Sequence, residues 1–165
     1  MNFTFENIGI VALILLTGLS AGLCFTWSNA VTLGIGNLND RGYLSAFQQM
    51  NRTILNPAFF IVFFGPFFLG LINLFTLRSS SNSLIVLLIL AVGIYLIGVL
   101  LVTFFGNVPL NQILYKTDLS SASTEDLKIL RDTFEGQWNR LHLIRTISSI
   151  ASFLILIISH TRITE

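Results

Sequence analysis

Four stretches of this chain carry no charged side chain, and each is long enough to cross a bilayer. Between Glu6 and Asp40 there is none, nor between Arg52 and Arg78, nor between Arg78 and Lys116. Between Arg145 and Arg162 the only candidate for charge is His160. A helix needs roughly 20 residues to span about 30 Å of hydrocarbon. The first three gaps are ample and the fourth is just sufficient. A buried soluble core explains one or two such gaps in a short chain, not four.

Composition agrees. Of 165 residues, 9 are Lys or Arg and 8 are Asp or Glu, which makes 10% charged, against roughly 25% for soluble domains. The net charge of +1 offers no basic field for nucleic acid. The single cysteine, Cys24, excludes an internal disulfide. No Lys or Arg precedes the first apolar stretch, which is also too long for a signal-peptide core, so it reads as a retained span.

Main-chain groups in lipid must be satisfied within the segment, so these stretches predict helices at about 8–31, 57–77, 84–105 and 143–159. No ten-residue alternation supports a barrel. The 57–77 and 84–105 helices join through Arg78-Ser79-Ser80-Ser81-Asn82-Ser83, a simple antiparallel turn. The other two connections are patterned. From Asp40 to Leu55, apolar Leu44, Phe47, Met50 and Ile54 recur at amphipathic helical spacing. Asn56 before Pro57 reads as the cap of the next helix. Ser123-Thr124-Glu125-Asp126 opens another helix, with acids where the macrodipole favours them. It carries Leu127, Leu130, Phe134 and Trp138 and is predicted to run unbroken into the last span. The fold class is therefore all-α, a four-helix transmembrane bundle forming one domain over 1–165. One or two amphipathic helices either cap one end of it or lie on the headgroups.

Arg41, Arg52, Lys116, Lys128, Arg131, Arg140 and Arg145 sit on the side of the long connections, and Arg78 and Arg162 on the other. The positive-inside rule places the long connections in the cytoplasm and both termini outside.

Several polar residues sit where lipid does not welcome them. In the first span, Gly18 and Gly22 read as helix packing, and Cys24 as a small packing residue. Asn29, near that helix end, faces either headgroups or a buried site. Asn107 and Asn111 are four apart and share a face around Pro109. They read either as a helix end with Asn111 as its cap or as two carboxamides at a cavity mouth. Gln48 and Asn51 lie beside an apolar stripe. Trp138, His142 and Arg145 fall at i, i+4 and i+7, on one face with Ser149 and Ser152. An arginine entering a span normally faces the bundle interior or water, although it can also snorkel.

Geometry argues against a metal or haem shared by the histidines. His142 and His160 stand 18 residues apart on one helix, about 27 Å at 1.5 Å per residue. No Asp or Glu has ligand spacing with His142. The lack of acids in the first three spans also disfavours a carboxylate-based proton-coupled carrier.

These residues resemble the anthrone-oxygenase-like family of small four-helix membrane proteins. The resemblance rests on Ala21-Gly22 with Ser28-Asn29, on Phe47-Gln48-Gln49-Met50-Asn51-Arg52 with Asn56-Pro57, on Gly106-Asn107-Val108-Pro109-Leu110-Asn111, and on Trp138 followed by Arg145-Thr146. They follow the family's order over nearly the whole chain. One departure is His142, where the family commonly has Asn. Many members are bacterial, which implies an inner-membrane location. The resemblance implies a cofactor-free oxygenase that turns a flat polyketide anthrone or quinol-like substrate into a quinone with O2. It needs a base, oxyanion donors and an apolar slot. On that reading His142 is the base, and Arg145, Asn107, Asn111, Asn51 and Gln48 are donors. Trp138 and Phe59, Phe60, Phe63 and Phe64 wall the slot.

Two other function classes stay open: a non-catalytic protein that binds a hydrophobic small molecule or a membrane partner, and an oligomeric conduit. A site predicts that Trp138, Arg145, Asn107 and Gln48 converge near one end. A structural protein scatters them to headgroups. A conduit needs polar residues through the full depth, and the second span offers only Asn73.

Overall fold

Helix formation here follows from apolar runs punctuated by capping residues. The computed structural model describes residues 5–161. Five helices are present among them, with no strand. Helix α1 passes without interruption through Phe5–Thr26, Trp27–Val31 and Thr32–Gly36. Helix α2 is Asp40–Ile54, α3 is Pro57–Thr76, α4 is Asn82–Lys116 and α5 is Thr124–Thr161. Four of them, all but α2, are long and apolar enough to cross a membrane. Arg162, counted in the charge asymmetry, lies outside the described residues.

The caps are the ones the sequence offers. The side chain of Asn39 accepts from Gly42 N at 2.8 Å, and that of Asn56 from Phe59 N at 3.0 Å. At the start of α5, Ser123 Oγ accepts from Asp126 N at 3.1 Å, while Asp126 Oδ2 accepts from Ser123 Oγ at 2.6 Å and from Ser123 N. This is a capping box with aspartate in the reciprocal position.

The four long helices form a ring. Helix α1 packs against α3 and α5, and α4 packs against α3 and α5. Each neighbour is antiparallel to the next, since every connection joins two spans at the same end of the bundle. The outer surface is apolar, with Phe105 81% exposed and Phe75 69%. A soluble protein rarely presents a contiguous belt of this kind, and lipid is the solvent that accommodates it. Inside, Ile10, Leu13, Leu77, Leu84, Leu88, Ala91 and Leu156 close the end with the short turn. Close helix contact relies on small residues at specific points. A Cβ on Gly18 would sit 2.8 Å from the Phe153 ring. Gly22, expected to share that role, faces open space and is exposed.

The other end is capped. Helix α2 lies across α5 and the last turns of α4. Its Tyr43, Leu44 and Phe47 are buried with Leu114, Leu119, Leu127, Phe134 and Trp138. The capping alternative therefore holds over the interfacial one for α2. Arg131 locks the junction. It bonds Asp40 Oδ1 at 3.1 Å, Glu135 Oε2 at 2.7 Å and the carbonyls of Leu38 and Gly36 at 2.8 Å each, with its guanidinium over the Tyr43 ring. The N-terminal part of α5 belongs to this cap and continues into the span without a break. Helix α5 has 38 residues, about 57 Å, nearly twice a hydrocarbon core.

Two boundaries differ from expectation. Helix α1 continues past Val31 to Gly36, and α4 continues past Phe105 to Lys116. The second difference is instructive, because Pro109 lies inside α4. Proline has no N–H for the carbonyl one turn back and its ring crowds that turn. The turn directly before it, Thr103–Asn107, is widened to a π-helical turn, and a second such turn, Leu96–Leu101, lies further back in the helix. Helix α1 has a similar turn at Trp27–Val31. Asn111 is thus within a helix and does not cap its end.

Candidate functional site

Extra-wide turns rotate the residues that follow them about the helix axis, and they recur at functional sites. Here two of them, Trp27–Val31 in α1 and Thr103–Asn107 in α4, both pack against α5. The turn in α1 brings Trp27 and Ser28 inward, and the turn in α4 carries Thr103 and Asn107. Between them lies the Trp138-His142-Arg145 face of α5, and Phe47 of α2 closes the level from the capped end.

The side chains interlock. Trp138 Nε1 donates to Asn111 Oδ1 at 2.8 Å, and Asn107 Nδ2 donates to the Trp138 carbonyl at 3.3 Å. The His142 ring stacks on Trp138, with centroids 4.9 Å apart and planes 15° apart. Trp27 sits 5.8 Å from Trp138 and 6.3 Å from His142, and Phe47 meets Trp138 edge-on at 4.7 Å. Arg145 lies over the Trp138 ring at 5.5 Å and donates from Nη1 to Thr103 Oγ1 at 3.1 Å. Its Nη2 also meets His142 Nδ1.

These contacts fix the state of the imidazole. His142 Nε2 is 3.0 Å from the Cys24 carbonyl oxygen. A carbonyl only accepts, so Nε2 carries the proton. Nδ1 then holds a lone pair, and Arg145 is its donor. Thr146 Oγ1 donates to the His142 carbonyl at 3.0 Å and meets Ser28 Oγ at 2.9 Å. Helices α1, α4 and α5 are therefore joined at this level by polar bonds as well as by rings.

Charge is the unusual feature. Ion pairs among the described residues join Lys128 to Asp132 and Arg131 to Asp40 and Glu135. None of them reaches Arg145, whose partners are a hydroxyl, an imidazole lone pair and an aromatic face. Three polar atoms at this level are also buried without a partner: Trp27 Nε1, Asn107 Oδ1 and Arg145 Nε. Buried polar atoms are normally satisfied. Two donors and one acceptor on these three residues are thus left open, and one of the donors is the Nε–H of Arg145 itself.

Of the residues singled out from sequence, Trp138, His142, Arg145, Asn107 and Asn111 converge. Gln48 does not join them. Its Nε2 donates to the carbonyls of Leu114 and Thr117 at 2.7 and 3.1 Å, tying α2 to the end of α4. Asn51 is half-buried one turn beyond Phe47, and Asn29 is exposed on α1. Asn29 follows Ser28 by one residue, and consecutive helical residues face different ways. Of the four phenylalanines, Phe63 is buried against Tyr95, while Phe60 is 42% exposed. Ser149 and Ser152 are buried, but they donate to backbone carbonyls and line no open path. Trp27 and Thr103 were missed, and Thr146 entered only through the family resemblance. A second tryptophan next to Ser28 was the one legible signal, since the wide turns that aim these side chains have no sequence signature.

No curated protein and no solved structure matches the chain. The anthrone oxygenase family pattern matches residues 58–155, which takes in nearly all of α3, the whole of α4 and α5 as far as residue 155, with Asn107, Asn111, Trp138, His142 and Arg145. With that match over more than half its length, this integral membrane protein belongs to the anthrone oxygenase family.

Proposed function

We propose that the chain oxidises a flat, lipophilic, acidic carbon or phenol substrate with O2, and that Arg145 stabilises the substrate oxyanion. The observation that carries this reading is the Arg145 guanidinium, without a carboxylate partner and with its Nε–H open, among residues that leave Trp27 Nε1 and Asn107 Oδ1 unpartnered as well. An anthrone-type methylene is acidic because its anion is an aromatic phenolate. That anion gives electrons to O2 directly. In an anthrone the methylene loses two hydrogens and gains one oxygen atom, and the second oxygen atom leaves as water; a quinol, which gains no oxygen, passes two hydrogens to O2 and leaves hydrogen peroxide. The protein's part is to hold the ring system and favour the anion. Trp27, Trp138 and Phe47 supply aromatic surface for a planar ligand. Arg145 supplies positive charge where negative charge develops. A unit pair at 4 Å and an effective dielectric of 20 is worth about 4 kcal/mol, or roughly a thousandfold in rate.

The experiment is oxygen uptake by purified protein with a panel of anthrones and quinols, run beside Arg145→Leu. Uptake should fall by about 10²–10³ in the variant while it remains helical. Equal uptake by both proteins would sink the assignment. We place the capped end in the cytoplasm, on the excess of Lys and Arg there. Ligand binding without turnover is the second reading, favoured by the engaged His142 lone pair. It predicts quenching of Trp27 and Trp138 by the same compounds without oxygen uptake.

A further inference from the structure

We infer that His142 is a positioning residue that holds Arg145, and that the site takes its substrate as an anion already formed. The inference rests on the oxygenase reading above. A general base needs a lone pair free to receive the proton. His142 has one such pair, on Nδ1, and it points at the Arg145 guanidinium. The opposite nitrogen is anchored to the Cys24 carbonyl at 3.0 Å, and the ring is fixed against Trp138. A proton arriving at Nδ1 would face a fixed cation and break the bond that orients it. The same geometry suits positioning. Held by His142 Nδ1 and Thr103 Oγ1, and lying over Trp138, Arg145 keeps its Nε–H unpartnered.

The proton balance is then simple. The O–H bond of the enol or phenol form breaks in water, its proton goes to water, and the oxyanion pairs with Arg145. The charged and titratable groups that face Arg145 are Cys24 from α1, Tyr95 from α4 and His142 on its own helix. No carboxylate is among them. Asp40 and Glu135 are held by Arg131 in the cap.

Two variants separate the roles. His142→Asn keeps an acceptor near the Nδ1 position and cannot act as a base at neutral pH. His142→Leu removes both. Positioning predicts that Leu lowers kcat/KM by about a hundredfold and that Asn recovers most of the loss. The pH profile of wild type and His142→Asn should rise through the acidity of the substrate itself, and move when a more acidic substrate is used. Equal losses of a hundredfold or more in both variants, or a profile that ignores substrate acidity, would overturn the inference. A second readout needs no turnover. Nitrogen NMR of labelled histidine, assigned by its loss in His142→Asn, should show Nε2 protonated and Nδ1 bare at pH 7. A proton on Nδ1 would contradict the geometry. If the wild type consumes no oxygen but the NMR signature holds, the oxygenase reading fails and the positioning contact stands.

Discussion

Gly98→Ala should damage both the bundle and the site, because this glycine is where α4 and α5 touch. A Cβ built there would lie 2.0 Å from Ser148 Oγ and 2.4 Å from Ser148 Cβ. Ordinary carbon contacts need about 3.5–4.0 Å. The hydroxyl can rotate away, but Cβ is fixed to the backbone. The two helices must therefore part by roughly an ångström or more. Overpacking of this kind costs about 1–3 kcal/mol, and a rigid helix pair belongs at the upper end. The consequence reaches the site, since Ser148 is less than a turn from Arg145 and Gly98 is little more than a turn from Thr103. The Arg145–Thr103 bond, 3.1 Å long, would stretch past hydrogen-bonding range. Reversible unfolding in detergent or bicelles should show a loss of about 3 kcal/mol, with oxygen uptake reduced at least tenfold. Adding Ser148→Gly removes the clashing atom, and the double variant should recover with a coupling of about 1–3 kcal/mol. Gly22→Ala is the control, because nothing lies within 4 Å of its new Cβ. A stable Gly98→Ala, or a second substitution that restores nothing, would show that Gly98 does not set the approach of α4 to α5.

Three further outcomes are expected. Tyr95 donates to the Phe63 carbonyl and meets Ser20 Oγ, both at 2.8 Å. Tyr95→Phe should lower stability by about 1–2 kcal/mol in bicelles. Burial pushes the Tyr43 phenol up, Glu135 adds to this and Arg131 opposes it. The unfolded chain therefore ionises first, so stability is full below a pH of about 10 and is lost as pH rises further. Tyr43→Phe should lack that alkaline component when the two unfolding midpoints are compared between pH 7 and 11. Arg131→Met strips two carboxylates and two carbonyls of their donor. A loss of about 2–3 kcal/mol and new proteolytic cutting between α1 and α2 should follow.

Much of this was legible because charge and apolar length are read one residue at a time. Uncharged gaps gave four spans, Asn56 and Ser123 marked helix starts, and the stripe through Phe134 and Trp138 gave an unbroken α5. The Trp138-His142-Arg145 face was legible for the same reason, as a polar stripe at helical spacing. What stayed hidden depends on register. A π turn moves a side chain by about a quarter of the helix circumference, so the positions of Trp27, Thr103 and Asn107 follow from tertiary packing. Pro109 pointed to a helix end, and only the widened turn before it explains why α4 continues. Gln48 looked like a site residue because an amide beside an apolar stripe serves a ligand or a helix terminus equally well. It serves the terminus of α4.

The fate of O2 at Arg145 is the most direct test of the proposed chemistry. Purified protein should be given an anthrone under ¹⁸O₂, with the product and water analysed at early times. One labelled atom should appear in the new ketone and one in water, formed by the wild type at least a hundredfold faster than by folded Arg145→Leu. Label recovered only as hydrogen peroxide, or equal rates in the two proteins, would contradict that chemistry.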